Sequence, residues 1–192
     1  MNKQRCSWVT NDEIYQNYHD EEWGRPVYDS QDLFAKLCLD GQQAGLSWLT
    51  ILKRRDNYYR AFHQFDPDKI ALMTDDDVDR LMLDTGIIRS RQKICAIIKN
   101  AKSYLKISEK QEFSDFIWAF VDHRTITNTF ASSDEIPTST EASKAMAKAL
   151  KKEGFSYVGE TICYAFMQAV GMVNDHTLDC HCFAQCQQLS RT

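Results

Sequence analysis

The sequence has no long apolar segment and no run of alternating apolar and polar residues. No apolar run approaches the roughly 18 residues that a membrane-spanning helix needs. The first residues, MNKQRCSWVTNDE, lack the apolar core of a secretory signal. We therefore expect a cytoplasmic protein that does not associate with a membrane. Internal repeats and low-complexity linkers are also absent, so the sequence predicts an ordinary globular chain.

The composition fits one compact unit that can carry thiols or a metal. With 43% hydrophobic and 26% charged residues in 192 positions, bulk disorder is excluded. This length suits one domain, or two small lobes that share a cleft. Seven cysteines without an export signal favour free thiols or metal ligands over a disulfide framework.

The net charge of −4 does not by itself match a protein that binds nucleic acid. However, salt screening limits the reach of a surface charge to about 10 Å, so the local distribution of charge matters more than the total. Basic residues cluster at positions 53–55, 89–93 and 148–152. Each cluster alone is more often a solvated face than a phosphate site, and only their position beside turns favours binding.

The apolar spacing predicts an all-α protein. Apolar residues recur at helical intervals almost throughout, and the polar stretch 125–133 is the best candidate for a loop. A helix is predicted over about 47–62. The predicted helix starts are Asp29 or Ser30, Asp66 with Pro67 in the first turn, Thr74, Ser90, and Thr138 in a capping box with Glu141.

Residues 78–105 have the pattern of two helices joined by a tight turn at 84–90. Gly86 permits a backbone conformation that other residues resist, and the start of the second helix favours an anion such as a phosphate. The pattern also fits an ordinary helix–helix turn with a terminal glycine. The flanking basic residues, which make the two interpretations about equal, are Arg89, Arg91 and Lys93.

The segment 38–55 combines groups that a purely structural helix does not need. Gly41 and Gly45 each cost about 1 kcal/mol relative to alanine in a helix interior. Asp40 and Trp48 lie within the same few positions, and a basic run follows. This combination suggests a site where a flat ligand and a nucleic-acid backbone approach closely.

Cysteine and histidine residues near the two ends of the chain have the composition of a metal site. Two thiolates and two imidazoles suit tetrahedral Zn²⁺ with no open position, which is typical of a structural site. Buried thiols with surface histidines are the alternative that the spacing leaves open. The four candidate ligands are Cys6, His19, His176 and Cys180.

Seven short motifs together resemble the bacterial 3-methyladenine DNA glycosylase I family, whose members belong to the helix-hairpin-helix superfamily. The motifs are YHDEEWG (18–24), GQQAGLSW (41–48), FHQFDP (62–67), GIIR (86–89), EIPTST (135–140), TICYAFMQA (161–169) and NDH (174–176). The resemblance implies a glycosylase that extrudes 3-methyladenine from alkylated double-stranded DNA and hydrolyses its bond to the sugar. It implies no lyase activity, because Ser90 stands about where backbone-cutting relatives carry a nucleophilic lysine. A non-catalytic module that binds damaged DNA is the alternative.

The resemblance also implies roles for individual residues. Asp40 is the catalytic carboxylate, although known family members carry glutamate there, and the shorter side chain withdraws the carboxylate by roughly 1.5 Å. Tyr18, Trp23 and Trp48 bind the base. The implied DNA contacts are Gly45, Leu46, Gly86, Ile88, Arg89 and Ser90, and the implied zinc ligands are Cys6, His19, His176 and Cys180.

We expect residues 1–192 to form a single glycosylase unit with two helical lobes. One lobe contains the hairpin, over about residues 67–107. The other is formed by the two chain ends around one structural Zn²⁺. We expect a monomer with no obligate protein partner.

Overall fold

The computed structural model describes residues 3–190, and these residues are mostly helical. Within this described part, the eleven α-helices are α1 (Glu13–Glu21), α2 (Ser30–Gln42), α3 (Trp48–Leu52), α4 (Arg55–Ala61), α5 (Pro67–Ala71), α6 (Asp75–Leu81), α7 (Arg91–Ser108), α8 (Phe113–Trp118), α9 (Glu141–Glu153), α10 (Glu160–Ala169) and α11 (Phe183–Leu189). Two strands of two residues each, β1 (Ile126–Thr127) and β2 (Val173–Asn174), pair in parallel. The predicted all-α class is confirmed.

Four helix starts lie where the sequence predicts them. The Asp29 side chain accepts from the backbone N–H of Asp32 at the start of α2, and Asp66 caps α5 ahead of a first-turn proline. Thr74 and Ser90 are the N-cap residues of α6 and α7. A short polar side chain can accept from the exposed amides of a first turn, which is why these starts are readable from sequence.

The helix predicted over 47–62 is instead two helices, α3 and α4. The backbone leaves the helical region at Arg54 (φ −109°, ψ 0°). The guanidinium of Arg54 also donates to the carbonyl of Thr50 at 3.0 Å, which satisfies one of the acceptors exposed where α3 ends. No glycine or proline marks this break, so the residue types gave no sign of it.

The predicted start of α9 is wrong by two residues. Thr140, rather than Thr138, is the N-cap residue, and its capping box closes with Ser143 rather than with Glu141. Serine is shorter than glutamate, yet its hydroxyl reaches the N–H of Thr140 at 2.9 Å. The helix ends at Gly154, which has φ +102°, in the left-handed region that terminates helices.

Helix α2 runs through the centre of the molecule. It packs against α7, α8 and α10, and most of its side chains are buried. A helix that packs against three others along its length lies within the core. Its last turn therefore delivers Asp40 into the interior, where the carboxylate is only 2% exposed.

The predicted hairpin consists of α6, a connection over 82–90, and α7. Ile87 in the connection is 3% exposed, so it anchors the turn in the core. The reason given for Gly86 is wrong, because this glycine does not have a positive φ. Instead, a Cβ at this position would lie 2.9 Å from the Asn57 side chain, which donates to the Gly86 carbonyl. The glycine is required by close packing.

The two ends of the described chain lie together. The backbone N–H of His181 donates to the carbonyl of Gln4 at 3.0 Å. The β1–β2 pairing leads directly into residues 175–180. In this segment His176 contacts Cys6 of the amino-terminal segment. Within residues 3–190, no helix is both long enough and apolar enough to cross a membrane.

Candidate base-binding cavity and metal cluster

A cavity of about 370 Å³ opens beside the last turn of α2. The catalytic residue and the three base-binding residues implied by the resemblance all line it, although they come from three different segments. These four residues are Tyr18, Trp23, Asp40 and Trp48. This volume is at the lower end of the range for small-molecule sites and admits a purine.

The rings of Tyr18 and Trp48 face this one cavity as adjoining walls. Their centroids are 5.5 Å apart and their planes are inclined by 48°. A purine between two parallel rings would need two stacking distances, or about 7 Å. In this arrangement, one ring offers its face to a base while the other borders the base at an angle.

The carboxylate of Asp40 has one engaged oxygen and one free oxygen. Its Oδ1 accepts from the ammonium of Lys36 at 2.5 Å, while Oδ2 is buried and has no hydrogen-bond partner within residues 3–190. The Nε1 donor of Trp48 is also buried without a partner in that range. Buried polar atoms are almost always paired, so an unpaired acceptor and an unpaired donor on cavity-lining residues fit a polar ligand.

Lys36 was not singled out by the sequence, yet its ammonium is the charge closest to Asp40. It also lies 3.7 Å from the centroid of the Trp48 ring, in cation–π contact. Burial lowers the pKa of Lys36 and raises the pKa of Asp40, while the attraction between the two charges opposes both shifts. The Lys36 ammonium therefore contacts the carboxylate of Asp40, the residue whose side chain is shorter than the glutamate that the family resemblance leads us to expect there.

The two glycines of the 38–55 segment have different structural reasons. At Gly41 the close approach comes from the protein itself, because a Cβ there would lie 3.1 Å from the Cβ of Tyr157. Gly45 has φ +75° and no atom near its missing Cβ, so it shapes an open turn. That turn presents Leu46, a large apolar side chain that is 40% exposed.

A hydrogen-bond network connects this turn to the hairpin. The ammonium of Lys93 in α7 donates to the carbonyls of Gln42 at 2.8 Å and Ala44 at 2.6 Å. The Gln42 amide in turn donates to the carbonyl of Lys93 and accepts from the hydroxyl of Tyr58. The same hydroxyl accepts from the N–H of Ile88 at 3.2 Å. The turn and the hairpin are therefore held in a fixed relation.

The start of α7 keeps the features of an anion site. Ser90 makes no side-chain capping bond, so its hydroxyl leaves the N–H groups of the first turn available to a ligand. Arg89 beside it is exposed, whereas Arg91 is ion-paired with Asp79. The predicted backbone contact at Ile88 is not free, because its N–H is already bonded to Tyr58.

The four predicted metal ligands converge in one buried cluster. Their ligand atoms all lie within 4.8 Å of one another. The Cys180 sulfur is 3.5 Å from His19 Nε2 and 3.3 Å from His176 Nδ1, and the Cys6 sulfur is 3.6 Å from His176 Nδ1. A tetrahedral Zn²⁺ with bonds of 2.0–2.3 Å requires sulfur–nitrogen separations of about 3.5 Å. The donor set and its spacing therefore fit a closed four-ligand metal site.

Neighbouring groups orient both histidines of the cluster. Asp20 accepts from His19 Nδ1 at 2.8 Å and is itself held by both nitrogens of an Arg5 fork. His176 Nε2 donates to the carbonyl of Trp23 at 3.1 Å. The remaining ring nitrogen of each histidine is thus directed at the cluster, which is how metal-binding histidines are usually fixed. The Cys180 thiol and burial raise the pKa of Cys6, a crowding that a bound cation would relieve.

Comparison with known proteins assigns the chain to a family. A sequence profile of the methyladenine glycosylase family matches residues 8–183. The chain belongs to this family. It is 58% identical to a DNA-3-methyladenine glycosylase of Haemophilus influenzae, over 93% of this chain and 97% of that protein. It is 56% identical to DNA-3-methyladenine glycosylase 1 of Escherichia coli, over 94% and 97%.

Solved structures of methyladenine glycosylases have the same fold. A crystal structure of a 3-methyladenine DNA glycosylase I that is 58% identical superimposes with a TM-score of 0.92, over 93% of this chain and 99% of that one. The Staphylococcus aureus 3-methyladenine DNA glycosylase I, studied for its recognition of 3-methyladenine, is 39% identical with a TM-score of 0.91, over 93% and 96%. The predicted family is confirmed.

One wall of the cavity in this methyladenine glycosylase carries no residue that the sequence interpretation had assigned to the site. Tyr164 and Gln168 of α10 line it, and Asp175 holds both: it accepts from the Tyr164 hydroxyl at 2.6 Å and from the Gln168 amide at 2.9 Å. The motifs at 161–169 and 174–176 marked these positions for the family. The motif positions were the only signal in the sequence, because the shared partner Asp175 is evident only in the fold.

Trp23 joins the metal cluster to the cavity. Its ring lies 4.6 Å from the His176 ring and also borders the cavity. The next residue, Gly24, has φ +79°, and a Cβ there would lie 2.9 Å from His176 Nε2. The cluster and the cavity wall therefore depend on the same tight contact, and disturbing one would shift the other.

Proposed function

We propose that this methyladenine glycosylase excises 3-methyladenine from alkylated duplex DNA. The observation that carries the proposal is the cavity in which an aromatic face and a buried carboxylate oxygen without a partner meet at Trp48 and Asp40. Both close relatives are named for this activity. A base within a stacked duplex is out of reach, so the nucleotide has to be extruded into the cavity before the bond is cut.

The charge of the substrate explains how one carboxylate suffices. N3-alkylated adenine in DNA is cationic, so its bond to the sugar is weakened and the base leaves in neutral form. The protein does not need to protonate it. The face of Trp48 favours the positive ring by a cation–π contact, and Asp40 accepts a charge-assisted hydrogen bond from its amino edge. Water then attacks the sugar, and normal neutral adenine gains neither contact in full.

The turn and the hairpin form the proposed DNA-binding surface. Leu46, presented by Gly45, is placed to fill the gap that the extruded nucleotide leaves in the stack. The first turn of α7, with Ser90 and the exposed Arg89, offers backbone amides and positive charge to a phosphate. The close packing of Gly86 fixes the turn that precedes it. These contacts read the shape and charge of the duplex rather than its sequence.

We infer that the buried cluster holds one structural Zn²⁺. Two thiolates and two imidazoles complete a tetrahedral site, which leaves no position for a substrate or water. The ion would fix the two ends of the chain to each other and take no part in the reaction. This arrangement supports a two-lobe organisation, with the chain ends in one lobe and the hairpin of 67–107 in the other. We also propose that the protein acts on DNA as a monomer in the cytoplasm.

The direct test is the release of free base from methylated duplex DNA. We expect chromatography of the reaction to show free 3-methyladenine, at a rate proportional to protein concentration. The alternative function, a module that only binds damaged DNA, predicts binding with no released base. Hypoxanthine-containing duplex is the matched neutral substrate, and equal release of hypoxanthine would contradict the role given to charge.

We further infer that the enzyme does not cut the DNA backbone. A lyase needs a lysine whose amine is free to attack the sugar, and Ser90 occupies the corresponding place. The nearest candidate, Lys93, is committed to the carbonyls of Gln42 and Ala44. Reduction with borohydride during the reaction is therefore expected to trap no protein–DNA adduct. A trapped adduct that is lost in Lys93→Met would contradict this inference.

A further inference from the structure

The proposed base site already contains a positive charge of the protein itself. The ammonium of Lys36 lies 2.5 Å from Asp40 Oδ1, 3.7 Å from the centroid of the Trp48 ring and 5.8 Å from the centroid of the Tyr18 ring. These are the same groups that are proposed to recognise a cationic base. In the free protein, therefore, the position of the base's charge is occupied by a lysine.

Two cations cannot use these groups at once. The ammonium already lies against the face of Trp48 and beside Asp40 Oδ1, and like charges a few ångströms apart repel strongly where burial weakens screening by water. The side chain of Lys36 is only 17% exposed, and that of Asp40 only 3%. A cationic base can make its full contacts only after the ammonium has moved away.

A second position that the Lys36 ammonium can occupy lies in an adjoining cavity. This cavity, of about 310 Å³, shares Tyr18, Lys36 and Trp48 with the base cavity and is lined by the carboxylates of Asp32 and Glu22. Glu22 is already paired with Arg55 at 2.5 Å. Asp32 has no ion-pair partner among residues 3–190, and burial together with nearby Asp29 raises its pKa.

The helix geometry makes both carboxylates reachable from Lys36. Asp32 lies four residues before it and Asp40 four residues after it, so all three occupy one face of α2. Lysine is a compact charge on a flexible stem, and a change of rotamer moves its ammonium along such a face. The observed pairing with Asp40 is one of two that the helix allows.

We propose that Lys36 is a gate of the base cavity, which pairs with Asp40 in the free protein and moves to Asp32 when a cationic base enters. The exchange keeps the buried Asp40 carboxylate compensated before and after binding, which matters because an unpaired buried charge is strongly unfavourable. A neutral base displaces the ammonium without replacing its charge, which leaves the Asp40 carboxylate uncompensated. Displacement of Lys36 therefore disfavours binding of a neutral base relative to a cationic one. This inference rests on the proposed base-excision site.

The test uses a flat cation of fixed charge, 1-methylquinolinium, with its dissociation constant measured by calorimetry. Lys36→Met removes the internal competitor and keeps the length of the side chain, so we expect binding to tighten about tenfold or more. Asp32→Asn removes the second position and should weaken binding about threefold or more. Asp32→Asn is expected to have no effect in the Lys36→Met background, because no ammonium then needs that position.

A matched control and a parallel assay make the outcomes distinct. Lys69→Met removes a surface lysine that is paired with Asp66 at 2.9 Å, and it should leave binding unchanged. Equal or weaker binding by Lys36→Met overturns the gate, as does an Asp32→Asn effect that persists without Lys36. Release of free base from methylated duplex by the unsubstituted protein is measured alongside. Absence of that release overturns the proposed function, whereas the calorimetric cycle decides the gate.

Discussion

Asp40→Asn is expected to lower the rate of 3-methyladenine release by roughly 10- to 100-fold. The substitution keeps the size of the side chain but removes the negative charge, so the hydrogen bond to a cationic base is no longer charge-assisted. Hydrogen bonds to charged groups contribute about 1.5–3 kcal/mol, and each 1.4 kcal/mol corresponds to a factor of ten in rate. The measurement is single-turnover release of free base from methylated duplex DNA.

Two comparisons separate this effect from a loss of folding. Glu141→Gln makes the same carboxylate-to-amide change at an exposed residue paired with Lys144, and it should leave the rate unchanged. Asp40→Glu restores the length found in known family members and should retain most of the activity. If Asp40→Asn released base at the unsubstituted rate, the carboxylate would have no part in the reaction.

Removing the metal is expected to lower the free energy of unfolding by roughly 3–5 kcal/mol, the scale of cross-links that close long loops. Two members of the cluster, Cys6 and His176, are 170 positions apart, so loss of the metal removes a large restraint and raises the entropy of the unfolded chain. Denaturant unfolding with and without a chelator, together with the zinc content of each sample, measures this difference. A total domain stability of about 5–15 kcal/mol makes such a loss severe.

Substitution of single ligands should reproduce the effect of chelation. Cys6→Ser removes one thiolate from the buried cluster and is expected to release the metal and destabilise the fold. Cys95→Ser makes the same chemical change at an exposed cysteine and serves as the control. An unfolding midpoint that does not change after complete loss of zinc would contradict the structural role of the ion.

Helix starts could be predicted from the sequence where a single side chain determines them. Asp29 and Asp66 carry their capping oxygen on the residue itself, so the local sequence is sufficient. The start of α9 could not be fixed in this way, because both Thr138 and Thr140 are followed three residues later by a polar side chain, and the structure uses Thr140 with Ser143. The break between α3 and α4 depends on an Arg54 contact that no propensity encodes.

Most of the cavity lining was predictable because its residues belong to recognisable motifs, but its electrostatics were not. A lysine in the middle of an apolar helix is expected to extend to solvent, so Lys36 gave no functional signal. Its place in the cavity depends on the packing of α2, which leaves the Lys36 side chain only 17% exposed and sets its ammonium against Asp40 and the face of Trp48. Only three-dimensional packing shows that the pair occupies the base site.

The metal cluster sets an order of events during synthesis. Cys6 and His19 leave the ribosome early, but their partners follow 161 and 170 residues later in the pairs Cys180–His19 and His176–Cys6. Trp23 packs against the ring of His176, so it can take its final position only after His176 has been synthesised. A nascent chain interrupted before His176 lacks the ring against which Trp23 packs, so the wall of its cavity lacks that support.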